Sequence, residues 1–224
     1  STKSVMPDGF EKQVSRDEFS NLLEFLTDRG RYTPIDLRKH ATIVSTRGMF
    51  YDENNRRERL IFADWSPKTF AGLPFLLVDP RGDQLPNVIM LNGPRGKFPP
   101  TMPTRVTLPC HSPARMIHFL SGISGWGAKG ERTVVDERAV SMIVRLHYSD
   151  GEVEDHPLYD GRHFADYIGR FDVPESTFAF ALRDQQVRYF AVAPDRDAEI
   201  REIELIKGPD DTAPVVMAVT IEGR

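Results

Sequence analysis

The residue types best able to bind a metal or attack a substrate are six histidines, His40, His111, His118, His147, His156 and His163, and one cysteine, Cys110. No two histidines stand at the i, i+4 spacing that would set both on one face of a helix around a zinc ion. A hairpin could bring His147 and His156 together with Asp150 or Asp155 as oxygen ligand, but polar pairing across two strands on a solvent face explains the same residues more simply. Cys110 has no partner for a disulfide, and it is followed directly by His111 with no cysteine three residues upstream, so C-x-x-C-H haem attachment is excluded. Ser121-Gly122-Ile123-Ser124-Gly125 lacks the Gly-x-Ser-x-Gly elbow of a serine hydrolase, and Arg95-Gly96-Lys97 lacks the Gly-Lys-Ser/Thr element of a phosphate loop. The acids Asp150, Glu152, Glu154 and Asp155 fall in or after a turn, where solvated carboxylates are ordinary. No catalytic constellation emerges from spacing alone.

The elements that must position these residues are short. From about residue 41, apolar runs alternate with Pro, Gly, Asn and Asp, which is how strands and tight turns read. Twelve candidate strands result, over 41–45, 59–64, 74–79, 87–92, 105–108, 116–121, 141–148, 153–158, 177–182, 187–193, 199–207 and 215–222. That number of short strands, with no long amphipathic helix between them for a parallel crossover, predicts an antiparallel β-sandwich. In 141–148, Val144, Leu146 and Tyr148 alternate with Ile143, Arg145 and His147, so Arg145 and His147 are expected to point away from the core. Ser149-Asp150-Gly151 closes residues 141–158 into one hairpin.

The first forty residues have a different character. Ser15-Arg16-Asp17-Glu18 is a capping box, and Phe19, Leu22, Leu23 and Leu26 follow at helical spacing before Gly30, which predicts a helix over about 16–29. The division expected is therefore a leading segment, 1–40, and a sandwich domain, 41–224. The 224 residues carry 29 basic and 33 acidic side chains, a formal net charge of −4. This balance gives no electrostatic case for nucleic acid. No apolar run approaches the roughly 20 residues of a membrane span.

Two stretches carry a resemblance. Ser4-Val5-Met6-Pro7-Asp8-Gly9-Phe10 and the capped helix after it resemble the C-terminal end of a c-type cytochrome domain in large multidomain haem proteins of planctomycete type. The remainder, with Thr69-Phe70-Ala71-Gly72-Leu73-Pro74-Phe75, Ser124-Gly125-Trp126-Gly127, His147-Tyr148-Ser149-Asp150-Gly151 and Asp166-Tyr167, resembles the sandwich that follows that haem domain, which is similar to galactose-binding-like jelly rolls and to novel putative carbohydrate-binding modules. The resemblance implies a jelly roll and a periplasmic or secreted setting. In the family pattern Met6 matches the place of an axial thioether ligand to haem, and its alternative is an apolar residue beside a proline turn. No cofactor is implied for this chain, haem c belonging to a longer parent with an upstream haem domain, which would make that parent a haem-containing oxidoreductase.

What the resemblance then implies is a non-catalytic binding or docking module, for carbohydrate or for another protein domain, with a structural appendage of an electron-transfer protein as the alternative. Sugar-binding sandwiches use an aromatic plate to stack on a pyranose and a few polar groups to bind its hydroxyls. Trp126, between Gly125 and Gly127, is the best plate, while Trp65 reads better as core. The polar candidates are Arg145 and His147 on the outward strand face, and Asp160, Arg162 and His163 in the loop after the hairpin.

Overall fold

The hairpin around Asp150 sets the pattern for the rest of the chain. In the computed structural model, which describes residues 31–131 and 139–224, β6 (Val140–Tyr148) and β7 (Val153–Tyr159) pair antiparallel, with Arg145 opposite Asp155 and His147 opposite Val153. The turn is closed by the Gly151 N–H donating to the Tyr148 carbonyl at 3.1 Å, with Gly151 at φ +92°, a conformation that glycine adopts without strain. Alternation holds along β6: Val144, Leu146 and Tyr148 are buried, and Ile143, Arg145 and His147 lie on the outer face. The same register puts His156 opposite Val144 while His147 faces Val153. Residues of opposite parity point to opposite faces of a sheet, so the hairpin separates the two histidines instead of joining them.

The remaining strands are β1 (Tyr32–Pro34), β2 (Lys68–Phe70), β3 (Leu73–Phe75), β4 (Ile89–Met90), β5 (Arg105–Ser124), β8 (Thr177–Leu182), β9 (Gln185–Val192), β10 (Glu199–Lys207) and β11 (Ala213–Gly223). Every pairing between them is antiparallel, and the fold is an all-β sandwich. One layer has the order β7-β6-β10-β5 and the other β1-β11-β5-β9-β8, with β4 also on β11. Strand β5 belongs to both: residues 105–113 pair with β10, and residues 114–124 with β11 and β9.

The sequence suggested two strands, 105–108 and 116–121, where there is one of 20 residues. Pro109 and Pro113 lie in the gap between the two. They are tolerated because this half of β5 is the edge of its layer, where a missing N–H leaves no ladder bond unmade. At the crossing, His111 takes φ +55° beside a register shift opposite Ile200 and Glu202, the kind of bulge that bends a strand from one sheet to the next.

Residues 41–45 and 59–64 are not strands. Ile43 makes only an isolated bridge to Val88, and the segment 41–104 lies as a cover on the second layer. Two cores result. Leu108, Ile117, Phe119, Val144, Leu146, Phe190, Ile203 and Val219 fill the space between the layers. Met49, Leu60, Phe62, Phe75 and Met90 from the cover pack on Leu120, Val187, Val215 and Met217. Strand β1 pairs with the end of β11, Tyr32 opposite Glu222, so residues ahead of 41 also join the sandwich. The helix expected at 16–29 and Met6 lie outside the described residues.

Candidate functional site

The loop that leaves β5 is locally strained. Gly125 and Trp126 both have positive φ, +86° and +67°, and for a tryptophan that region costs about 1–2 kcal/mol. What holds it is the segment after β7. The Ala128 N–H donates to Asp160 Oδ1 at 2.8 Å, the Asp166 N–H donates to the Ala128 carbonyl at 3.0 Å, and the Tyr167 N–H donates to the Ile123 carbonyl at 3.1 Å. Gly127 lets these backbones meet, since a Cβ there would lie 2.1 Å from Ile123 Cγ2 and 3.1 Å from the Asp166 nitrogen. Fixed in this way, Trp126 stands 61% exposed.

Facing it is the loop 49–58 of the cover, organised around a buried carboxylate. Glu58 Oε2 accepts the backbone N–H groups of Phe50, Tyr51 and Asp52 at 3.0, 2.9 and 3.3 Å, and its Oε1 accepts from Asn55 Nδ2 at 2.7 Å. The Tyr167 hydroxyl donates to the Glu58 carbonyl at 3.0 Å, which fastens this loop to the segment that also fastens the Trp126 loop. Tyr51 is left 52% exposed, its ring edge-on to Phe50 at 4.4 Å.

Between the two loops is a cleft of about 320 Å³ lined by Tyr51 and Trp126, with Asn55, Arg57, Lys129 and Asp166 among its polar groups beside Ser124 and the already bonded Glu58. This is the size of pocket that holds a small ligand. Asp166 is buried, which raises its carboxyl pKa against the opposing pull of the Ile168 N–H and Lys129. On its other flank Trp126 borders a second cleft, of about 400 Å³, with Arg95, Asp210 and Asp211.

The residues proposed from sequence do not gather in one place. Asp160 is buried beneath the Trp126 loop and supports it. Arg162 and His163 both pair with Glu175, His163 Nε2 lying 2.9 Å from its Oε2. The His163 Nδ1 accepts the Tyr159 N–H at 3.1 Å, so the neutral ring carries its proton on Nε2 and donates to Glu175. Burial lowers the pKa of His163 to about 4. Arg145 and His147 lie on the outer face of the first layer. Arg145 makes two 2.7 Å bonds to Asp155, and His147 Nε2 is 3.1 Å from Glu204, which Arg105 also reaches at 3.2 Å. Val140 pairs with Tyr159, so Arg145 lies five residues along β6 from the loop end, roughly 17 Å. Trp65 packs edge-on against Phe62 at 5.8 Å.

Tyr51, Asn55, Arg57, Lys129 and Asp166 were not legible as site residues. Asp166-Tyr167 stands out in the sequence only as part of a resemblance, and Arg57 only in the basic run Arg56-Arg57 with Arg59, which reads as a solvated loop because acids interleave it. The glycines flanking Trp126 were the one local signal, because they mark a loop whose backbone leaves the ordinary region. The chain matches no protein-family model, no curated protein and no solved structure.

Proposed function

We propose that the chain is a non-catalytic binding module whose ligand is a carbohydrate taken up in the cleft between Trp126 and Tyr51. The observation that carries the reading is the pairing of two exposed aromatic rings, 61% and 52% accessible, in one cleft that also offers an amide, two cations and a carboxylate. Aromatic faces match the C–H face of a pyranose, and Asn55, Arg57, Lys129 and Asp166 match its hydroxyls. Arg145, His147, Arg162 and His163 are already paired with carboxylates and leave the ligand role to the cleft. The host of the module, a larger extracytoplasmic haem protein, follows from the resemblance of the leading segment and of the sandwich.

A glycan array with the 224-residue chain tests the reading, followed by titration of the best ligand against Trp126→Ala. The expected result is a loss of about 1–3 kcal/mol or more in binding, with folding stability within about 0.5 kcal/mol of the parent because the ring is on the surface. Absence of any glycan binding by the parent chain, or glycan binding that Trp126→Ala leaves intact, overturns it.

A further inference from the structure

Most arginines of the described chain face a carboxylate, but those around one cleft do not. Arg56 and Arg59 of the cover and Arg183 of the β8–β9 turn line a cleft of about 320 Å³, together with Ile61, Leu182 and Gln185. No carboxylate lines it, and among the described residues none of these three arginines makes an ion pair. Three guanidinium groups without an ion pair around one concavity, in a chain of net charge −4, concentrate positive charge at that cleft.

Two details make this more than a crowded surface. Arg59 is anchored through Nη2 to the carbonyls of Glu53 and Asn54 at 3.2 and 3.1 Å, yet its Nε–H is buried with no acceptor. A buried donor without an acceptor is costly, and it leaves this guanidinium short of one partner. Arg183 occupies the first position of a two-residue hairpin turn, between paired Leu182 and Gln185, with φ +59°, where glycine would sit without strain. Gln185 in turn donates through Nε2 to the Arg57 carbonyl at 3.0 Å, so the turn and the 56–58 segment are held as one wall.

We propose that the cleft of Arg56, Arg59 and Arg183 binds an oxyanion of the phosphate or sulfate type, free or as an ester. Guanidinium forks match the oxygens of such groups with paired, charge-assisted hydrogen bonds. The site is distinct from the Trp126 cleft and stands without the sugar reading.

The test is calorimetric titration of the full chain with sodium sulfate and with sodium phosphate, ionic strength held constant with chloride. The parent is expected to bind at least one of the two anions above the chloride background. Arg183→Gly should weaken that binding by about tenfold or more, the loss of one charged hydrogen-bonding partner. Its melting temperature should equal or exceed the parent's, since glycine suits the turn, so misfolding cannot account for the loss. Arg56→Ala provides a second variant with the same expectation for binding. A third arm compares glucose 6-sulfate with glucose. Tighter binding of the sulfated sugar than of inorganic sulfate, lost in Arg183→Gly, identifies an ester as the source, whereas equal binding identifies the free anion. No binding of either inorganic anion or of the sulfated sugar by the parent, or affinities unchanged in both variants, overturns the proposal.

Discussion

The two layers of this sandwich are built from the same kind of strand and end in opposite surroundings. The layer of β7, β6 and β10 has one face in the core and one carrying Arg145, Asp155, His147 and Glu204, with no covering segment among the described residues. The layer of β11, β5 and β9 has its second face under residues 41–104, and β11 is consequently buried at every position from Ala213 to Glu222. The Arg145–Asp155 pair on the open face is worth little, because water competes for both partners. On the covered side an unbonded polar group is costly, as Arg59 Nε is, and the clefts open where the cover ends. The loops that carry Tyr51, Arg56 and Arg59 belong to the cover, so its edges, and not the open face, line the two clefts.

The sharpest way to break this comparison is an arginine in each layer. Arg188 on β9 is 1% exposed and donates from Nε to Ser176 Oγ at 2.7 Å, from Nη1 to the Phe171 carbonyl at 2.6 Å and from Nη2 to the Ser176 carbonyl at 2.6 Å. Arg188→Met strands those acceptors, and chemical denaturation should register a loss of about 3–5 kcal/mol. A loss below about 1 kcal/mol would mean that burial in the covered layer carries no such demand.

His163 gives an intermediate effect that depends on pH. Its pKa of about 4 in the fold lies below the ordinary histidine value of 6.5 because burial disfavours the charged ring. The unfolded chain therefore binds the proton first. The contribution of His163 is complete above pH 6.5 and is lost as the pH falls toward 4, by about 2–3 kcal/mol in all. Urea denaturation of the parent and of His163→Gln at several pH values between 7 and 4 measures it as the difference in slope. Parallel curves for the two proteins would show that the Glu175 contact offsets burial.

The smallest effect belongs on the open face. Arg145 and Asp155 are both more than a third exposed, so a double-mutant cycle with Arg145→Ala and Asp155→Ala should give a coupling of only about 0.2–1 kcal/mol despite two 2.7 Å bonds. A coupling of several kcal/mol would show that this face is covered after all.

What the sequence determined by itself is what depends on neighbours along the chain. Period-two alternation over 141–148 and the Asp-Gly turn after it placed the hairpin and sent Arg145 and His147 outward, because strand geometry fixes the parity of every side chain once one of them is known to be inside. The composition of turns and the lack of long amphipathic helices gave an antiparallel all-β fold. The glycines around Trp126 marked an unusual loop. Tertiary structure alone decided the rest. Apolar runs at 41–45 and 59–64 look like strands because burial under a cover selects the same residues as burial in a sheet, and periodicity carries no information about which partner will bury them. Pro109 and Pro113 look like breaks because a proline's cost depends on whether the N–H it lacks had a partner, and at the edge of a layer it had none. Both clefts join residues more than seventy positions apart, Tyr51 with Trp126 and Asp166, and Arg56 with Arg183. Such meetings are set by the packing of the cover against the second layer, a contact between faces that no local spacing encodes.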